Sequence, residues 1–242
     1  MVWIGLTYNT TMIRDNFAVG NYVHVYNRGA KKLPIVKDDD DKWRFLKTIF
    51  YFNSVSTPQF WDRELLVRKI SHFMWPTDWG RREPVVKILA YCLMPNHYHL
   101  LLKEIKEGGI TTFMRKFSNS YTGYFNNKYN ESGHLFQGAY KAKRINTDNQ
   151  LCHLSAYIQV KNPFELIPGG LEKATGDFER CYKLATAYKF CSLGDMMEER
   201  KSPIIERELL GELYSPAEYK KFVKQCAMDF GWDRVIVDIA ID

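Results

Sequence analysis

Residues 85–104 constrain the fold of this chain more than any other segment. Two apolar runs, 85–94 and 97–104, are separated only by Pro95 and Asn96. Leu89, Tyr91 and Leu93 lead into that gap, and Leu100, Leu101 and Leu102 leave it. Apolar runs of this length around a two-residue turn predict a pair of antiparallel strands. The second run begins His97-Tyr98-His99. Side chains alternate faces along a strand, so His97 and His99 share one face, about 7 Å apart at ~3.4 Å per residue. Tyr98 points the other way, into packing. Two neutral imidazoles on one face can hold a single divalent metal. A bare His-x-His is nevertheless common, and on this signal alone packing or surface histidines are the more frequent outcome.

The remaining pattern places that hairpin in a larger sheet. Residues 21–27 alternate as a first strand, and Arg28-Gly29 turns out of it. The acidic run Asp38 to Asp41 opens a helix carrying Trp43, Leu46, Ile49 and Phe50 at helical spacing. Residues 54–84 are broken by Pro58, Pro76, Gly80 and Pro84, with a short helix over 65–73. Ile110, Phe113, Phe117, Tyr121 and Tyr124 mark an amphipathic helix with an aromatic core stripe. Residues 135–145 read as a fourth strand. The order strand-helix-strand-strand-helix-strand is the split βαβ, ferredoxin-like arrangement of an α+β protein with an antiparallel sheet. Asp148 can cap a further helix running to about Lys161, with Leu151, Leu154 and Ile158 as its apolar stripe and Pro163 as its stop. Tyr157 lies at the border of that stripe. The domain organisation expected is an N-terminal arm over 1–19, a core domain over 20–165 and a helical C-terminal extension over 166–242. Ser215-Pro216 opens the last helix of that extension, with Tyr219, Phe222, Val223 and Cys226 on one face.

Met94-Pro95-Asn96-His97-Tyr98-His99-Leu100-Leu101-Leu102 resembles the metal-binding strand of the IS200-type single-tyrosine transposases. It is most similar to the subgroup associated with repetitive extragenic palindromes. Further pieces resemble the family in its own order. Tyr22-Val23-His24-Val25-Tyr26-Asn27-Arg28-Gly29 looks like its first strand and turn. Gly133-His134-Leu135-Phe136-Gln137-Gly138 looks like the approach to its fourth strand. Tyr157-Ile158 followed by Asn162-Pro163 looks like the tyrosine helix and its end. The resemblance spans roughly residues 20–165, with a weaker echo to about residue 225.

That resemblance implies the ferredoxin-like fold, the tyrosine helix behind it, and a chemistry. Tyr157 would be the nucleophile, forming a 5′-phosphotyrosine and freeing a 3′-hydroxyl, so strand rejoining needs no nucleotide cofactor. A Mg²⁺ or Mn²⁺ ion on His97 and His99 would polarise the scissile phosphate. Imidazole ligands suit Mn²⁺ somewhat better than the harder Mg²⁺. The family's third ligand lies four residues after the tyrosine. Here that position is Lys161, a cation, so the third ligand is Asn162, Gln159 or water. The family also often carries arginine after Gln137-Gly138, where this chain has Ala139; Lys141, Lys143 or Arg144 can supply that charge. Tyr121 and Tyr124 are rival tyrosines that fit core better, and His24, His134 and His153 read as isolated histidines with structural or surface roles.

Composition agrees with this picture. Segment 103–150 holds eight Lys and Arg against four Asp and Glu, with Lys141, Lys143 and Arg144 beside Phe136 and Tyr140. Basic residues interleaved with aromatics suit single-stranded DNA through phosphate contact and base stacking. Arg28, after its tight turn, is a further candidate DNA contact. The net charge of +6 fits a nucleic-acid partner. Five cysteines form no Cys-x-x-Cys pair, which reads as reduced thiols, and no run matches a membrane span or a secretion signal. The expectation is a cytoplasmic, nucleoid-associated protein of prokaryotic type, a monomer in preference to a homodimer, with no membrane partner. It would act as a metal-dependent endonuclease and strand transferase on single-stranded or hairpin DNA. The competing readings are a replication initiator or relaxase, and a catalytically inert nucleic-acid-binding relative, which Lys161 would favour.

Overall fold

The computed structural model describes residues 17–70 and 73–228. Most of the expected N-terminal arm lies outside the described residues. Four strands form one antiparallel sheet: β1 (Tyr22–Arg28), β2 (Val86–Leu93), β3 (His97–Glu104) and β4 (Lys141–Ile145), in the order β2-β3-β1-β4. That order is the split βαβ arrangement. Central β3 starts at His97, as the alternation predicts. The fourth strand is shorter than the pattern over 135–145 implies. Phe136 makes only an isolated bridge to Gly29, because Gln137 and Gly138 carry the chain round a bend before Lys141 pairs with Tyr26.

Each sheet face carries its own core. On one face, Val23, Val25, Tyr98, Leu100 and Leu102 pack against α1 (Asp39–Phe52) and α3 (Gly109–Tyr129). Tyr98 packs tilted against Phe45 and edge-to-face against Phe117 and Phe136, with centroids 5.3–5.7 Å apart. Tyr121 is buried in this core, so it is a packing residue. Between α1 and β2 runs a short helix, α2 (Trp61–Val67), which begins and ends earlier than Pro and Gly punctuation suggested.

Asp38 caps α1, and the first turn then buries Asp41. Burial alone would raise the Asp41 pKa, but Lys128 Nζ (2.7 Å) and the Tyr129 hydroxyl (2.6 Å) donate to its carboxylate and hold it below the ordinary value. A depressed folded pKa means the stabilisation is present above about pH 4 and is lost as pH falls through the folded value. Asp41→Ala also takes an acceptor from Lys128, Tyr124 and Tyr129, of which Lys128 and Tyr129 keep Asp38. We expect it to cost about 3 kcal/mol at pH 7 and less at pH 3, read from urea unfolding at both pH values.

The second face is covered by a long helix assembled from α4 (Asp148–Ala156), a π-turn (Tyr157–Lys161) and α5 (Asn162–Glu165). Thr147, rather than Asp148, caps it by accepting from Gln150 N. Leu151, Leu154 and Ile158 are buried as the stripe predicts. Pro163 does not stop the helix; it widens it. Proline has no N–H for the carbonyl four residues back, and its ring crowds that carbonyl. The carbonyl in question is Gln159 O, which instead accepts from the Cys191 thiol at 3.5 Å. A π-turn relieves the crowding and lets the helix continue.

The C-terminal helices α6 (Gly170–Gly176), α7 (Phe178–Ala187), α8 (Leu193–Met196), α9 (Glu208–Leu213) and α10 (Pro216–Met228) share this second core. They also protect the edge of β2. Leu93 N donates to Phe190 O, Ser192 N to Tyr91 O and Glu206 N to Ile88 O, each at 2.9 Å. No helix among the described residues is long and apolar enough to cross a membrane.

Candidate active site

The sheet register decides which side chains meet under the long helix. Tyr26 lies opposite His99, Arg28 opposite His97, Lys141 opposite Tyr26 and Lys143 opposite His24. Directly paired residues share a face. His97, His99, His24, Tyr26, Arg28, Lys141 and Lys143 therefore lie on one face. Arg144 lies opposite Val23, so it belongs to the other face and is separated from the rest.

The imidazoles and rings on this face form one contiguous cluster. His24 stacks on Tyr26 at 4.8 Å and on His99 at 5.2 Å. His97 meets His99 edge-on at 5.2 Å. Tyr157, reaching down from the π-turn, meets His99 edge-on at 5.3 Å. The expected nucleophile and the histidine strand are thus adjacent, although 58 residues separate Tyr157 from His99 in sequence. Tyr157 is itself buried, at 2% exposure.

His24 is not the isolated histidine that the sequence indicates. It is fully buried, and its Nε2 lies 2.9 Å from His99 Nδ1. His99 Nε2 is buried with no hydrogen-bond partner among the described residues. Burial pushes the His99 pKa well down, and the nearby His24, His97, Lys161 and Arg28 push the same way. Its imidazole is therefore neutral at pH 7, the form that binds metal. When His99 donates from Nδ1 to His24, its Nε2 lone pair is the ligating one. His97 is fixed similarly, by Asn96 Oδ1 at 2.7 Å from its Nδ1. Among the described residues no group of three His, Cys, Asp or Glu side chains converges on a cation site. The alternatives for a third ligand therefore remain Asn162, Gln159 and water.

The π-turn bears on that ligand. Asn162 N donates to Tyr157 O, an i→i+5 bond. An α-turn would set Lys161 one turn below Tyr157, whereas the π-turn sets Asn162 there. The Asn162 side chain is buried with neither its Oδ1 nor its Nδ2 hydrogen-bonded among the described residues. Such an orphaned amide costs free energy unless something outside the protein uses it. Lys161 is diverted: its ammonium lies 4.8 Å over the Tyr157 ring and 2.7 Å from Glu165 Oε1. Gln159 is engaged elsewhere. It donates to Ser192 Oγ at 2.9 Å and accepts from the Tyr219 hydroxyl at 2.6 Å. Two imidazole nitrogens and an amide oxygen are a borderline-hard donor set that fits Mn²⁺ or Mg²⁺.

Charge surrounds this cluster. Lys141 Nζ lies 5.7 Å over the Tyr26 ring. Arg28 Nε is buried without a hydrogen-bond partner among the described residues. Arg28 pairs across from His97, so this cation stands beside the histidine strand and suits an anionic ligand.

Comparison with known proteins meets this geometry from another direction. Residues 81–161 match the family model described as "Transposase IS200 like". The matched span runs from just before β2 to the last residue of the π-turn, and so contains His97, His99 and Tyr157. No curated protein matches the chain in sequence. Among solved structures, the chain is similar to one described as a REP-associated tyrosine transposase bound to a REP hairpin. The two share 12% identity, with 80% of this chain and 88% of that chain covered and a TM-score of 0.44. The similarity to IS200-like transposases thus covers residues 81–161, about a third of the chain.

Proposed function

We propose that this protein is a metal-dependent endonuclease and strand transferase that cuts single-stranded or hairpin DNA through Tyr157. The observation that carries the reading is the meeting of two separate segments on one sheet face: the His97 and His99 strand, and the π-turn that brings Tyr157 against His99 and sets the unpartnered amide of Asn162 one turn after it. The family of residues 81–161 supports transposase chemistry in general. The finer roles follow from the residues.

His97, His99 and Asn162 would hold a divalent ion, with Mn²⁺ favoured by the imidazoles. That ion would withdraw charge from the scissile phosphate. Tyr157 oxygen attacks phosphorus, and a new P–O bond to the phenol forms as the bond to the 3′ oxygen breaks. The phenolic proton leaves through solvent, and the departing 3′ oxygen takes up a proton to become a hydroxyl. The 5′-phosphate stays on Tyr157, so the phosphodiester's energy is kept and the reverse step reseals a strand. Lys161 over the Tyr157 ring sits where negative charge develops on the phenol. Arg28, Lys141 and Lys143, on the same face, would steer and neutralise the DNA backbone. Arg144 lies on the opposite face from these residues.

The test is a denaturing gel of protein mixed with labelled hairpin oligonucleotides. Mn²⁺ should give a covalent protein–DNA band, and chelator should remove it. Absence of the band in a pool that the protein demonstrably binds, together with absence of Mn²⁺ binding, would leave an inert DNA-binding relative.

A further inference from the structure

The two histidines of β3 have different outer partners, and the partner of His97 is built with unusual care. We propose that Asn96 is a positioning residue for His97: its amide oxygen accepts the Nδ1 proton and thereby holds Nε2 as the lone-pair nitrogen. The inference rests on reading His97 as a metal ligand. An asparagine amide has one acceptor end and one donor end. The donor end is assigned by Lys32 O, which can only accept and lies 3.1 Å from Asn96 Nδ2. The acceptor end must then face His97 Nδ1, at 2.7 Å, so that nitrogen carries the proton. Outer-sphere acceptors of this kind are how proteins fix the tautomer and ring orientation of a ligating histidine.

The turn that presents Lys32 O is strained for this purpose. Lys31 (φ 54°) and Lys32 (φ 63°) are consecutive non-glycine residues in the left-handed region. Side chains with a Cβ adopt that region at a cost, and persist there only where the surroundings over-determine them. Here the surroundings are the residues just before His97. Gly29 N donates to Asn96 O at 2.8 Å, and Ile35 N to Pro95 O at 2.8 Å. Lys32 N closes the turn onto Gly29 O at 2.9 Å. Gly29 is required, since a Cβ there would overlap the Leu33 carbonyl oxygen. The turn after β1 is thus stitched to the turn before β3 at three points, one of them the side chain that orients His97.

The readout is the tautomer itself, in metal-free protein. Histidine-¹⁵N-labelled protein at about pH 8 should show His97 in the Nδ1–H form by long-range ¹H–¹⁵N correlation. Asn96→Leu keeps the volume but removes the acceptor, and the Nε2–H form should gain. Asn96→Asp keeps the acceptor while losing the donor to Lys32, and should retain the Nδ1–H form. Mn²⁺ affinity should follow, weakened about 10–100-fold in Asn96→Leu and within about 3-fold of wild type in Asn96→Asp. Wild-type His97 in the Nε2–H form overturns the proposal outright, with no variant needed. So does Asn96→Leu with an unchanged tautomer. Wild type with the Nδ1–H tautomer but no Mn²⁺ binding overturns the metal reading and leaves the Asn96 assignment standing.

Discussion

Tyr157→Phe should abolish the covalent DNA adduct, lowering strand cleavage by at least about 10⁴-fold, while hairpin affinity stays within about 3-fold of wild type. The change removes one oxygen and leaves the ring. The edge contact with His99 at 5.3 Å and the Lys161 ammonium 4.8 Å over the ring need only the ring. The helix is held by Leu151, Leu154 and Ile158, so packing survives. The measurement is a denaturing gel for adduct beside a native titration for binding. An adduct that persists in Tyr157→Phe would overturn the nucleophile assignment. Tyr121 could not readily replace it, because its hydroxyl is buried on the other sheet face, donating to Ile35 O at 2.8 Å.

What the sequence could and could not reveal of this site has a physical logic. The β3 strand was legible because period-two alternation is local, and His97, Tyr98 and His99 fall on the faces it dictates. The stripe of α4 was legible for the same reason at period 3.6. His24 was not. Its partner lies 75 residues away, and only the β1–β3 register shows that His24, Tyr26 and Arg28 share the face of His97 and His99. The alternation His24, Tyr26, Arg28 was the available signal. Arg144 shows the opposite case: adjacent in sequence to Lys143, it is on the other face because a strand turns every second residue away. The π-turn was the hardest to foresee. Helical spacing puts Lys161 one turn after Tyr157, so the sequence leaves Asn162, Gln159 and water as alternatives. Pro163 is the signal that separates them, since a proline that does not end a helix must distort it, and the one-residue bulge sets Asn162 one turn after Tyr157.

The site also shows a buried cluster of polar groups with its charged groups at the margins. His99, His24 and Asn162 are all buried. Charge is held at the margins, with Lys161 tied to Glu165. A neutral ligand set leaves the full charge of a divalent ion to act on a phosphate. Anionic ligands would diminish it.

Asn162 is where that design costs stability, and its replacement should therefore have two effects of opposite sign. Asn162→Leu is nearly isosteric and removes two buried polar atoms that have no hydrogen-bond partners among the described residues. In chelator, the variant should unfold with about 1–3 kcal/mol more free energy than wild type. Its melting temperature should rise by roughly 2–4 °C for each kcal/mol gained. Mn²⁺ affinity should fall by at least about 100-fold, since a ligand and not merely an outer partner is lost. Wild type in Mn²⁺ at 100 times its Kd gains about 2.7 kcal/mol by mass action, and the variant gains almost nothing at the same concentration. The order of the two melting temperatures should thus narrow or invert when Mn²⁺ replaces chelator. Lys161→Ala is the control: it should leave the Mn²⁺ response of the melt in place, because the π-turn points that residue at Glu165. A variant that is less stable than wild type in chelator and keeps the full Mn²⁺ shift would make Asn162 a structural residue and return the third ligand to solvent.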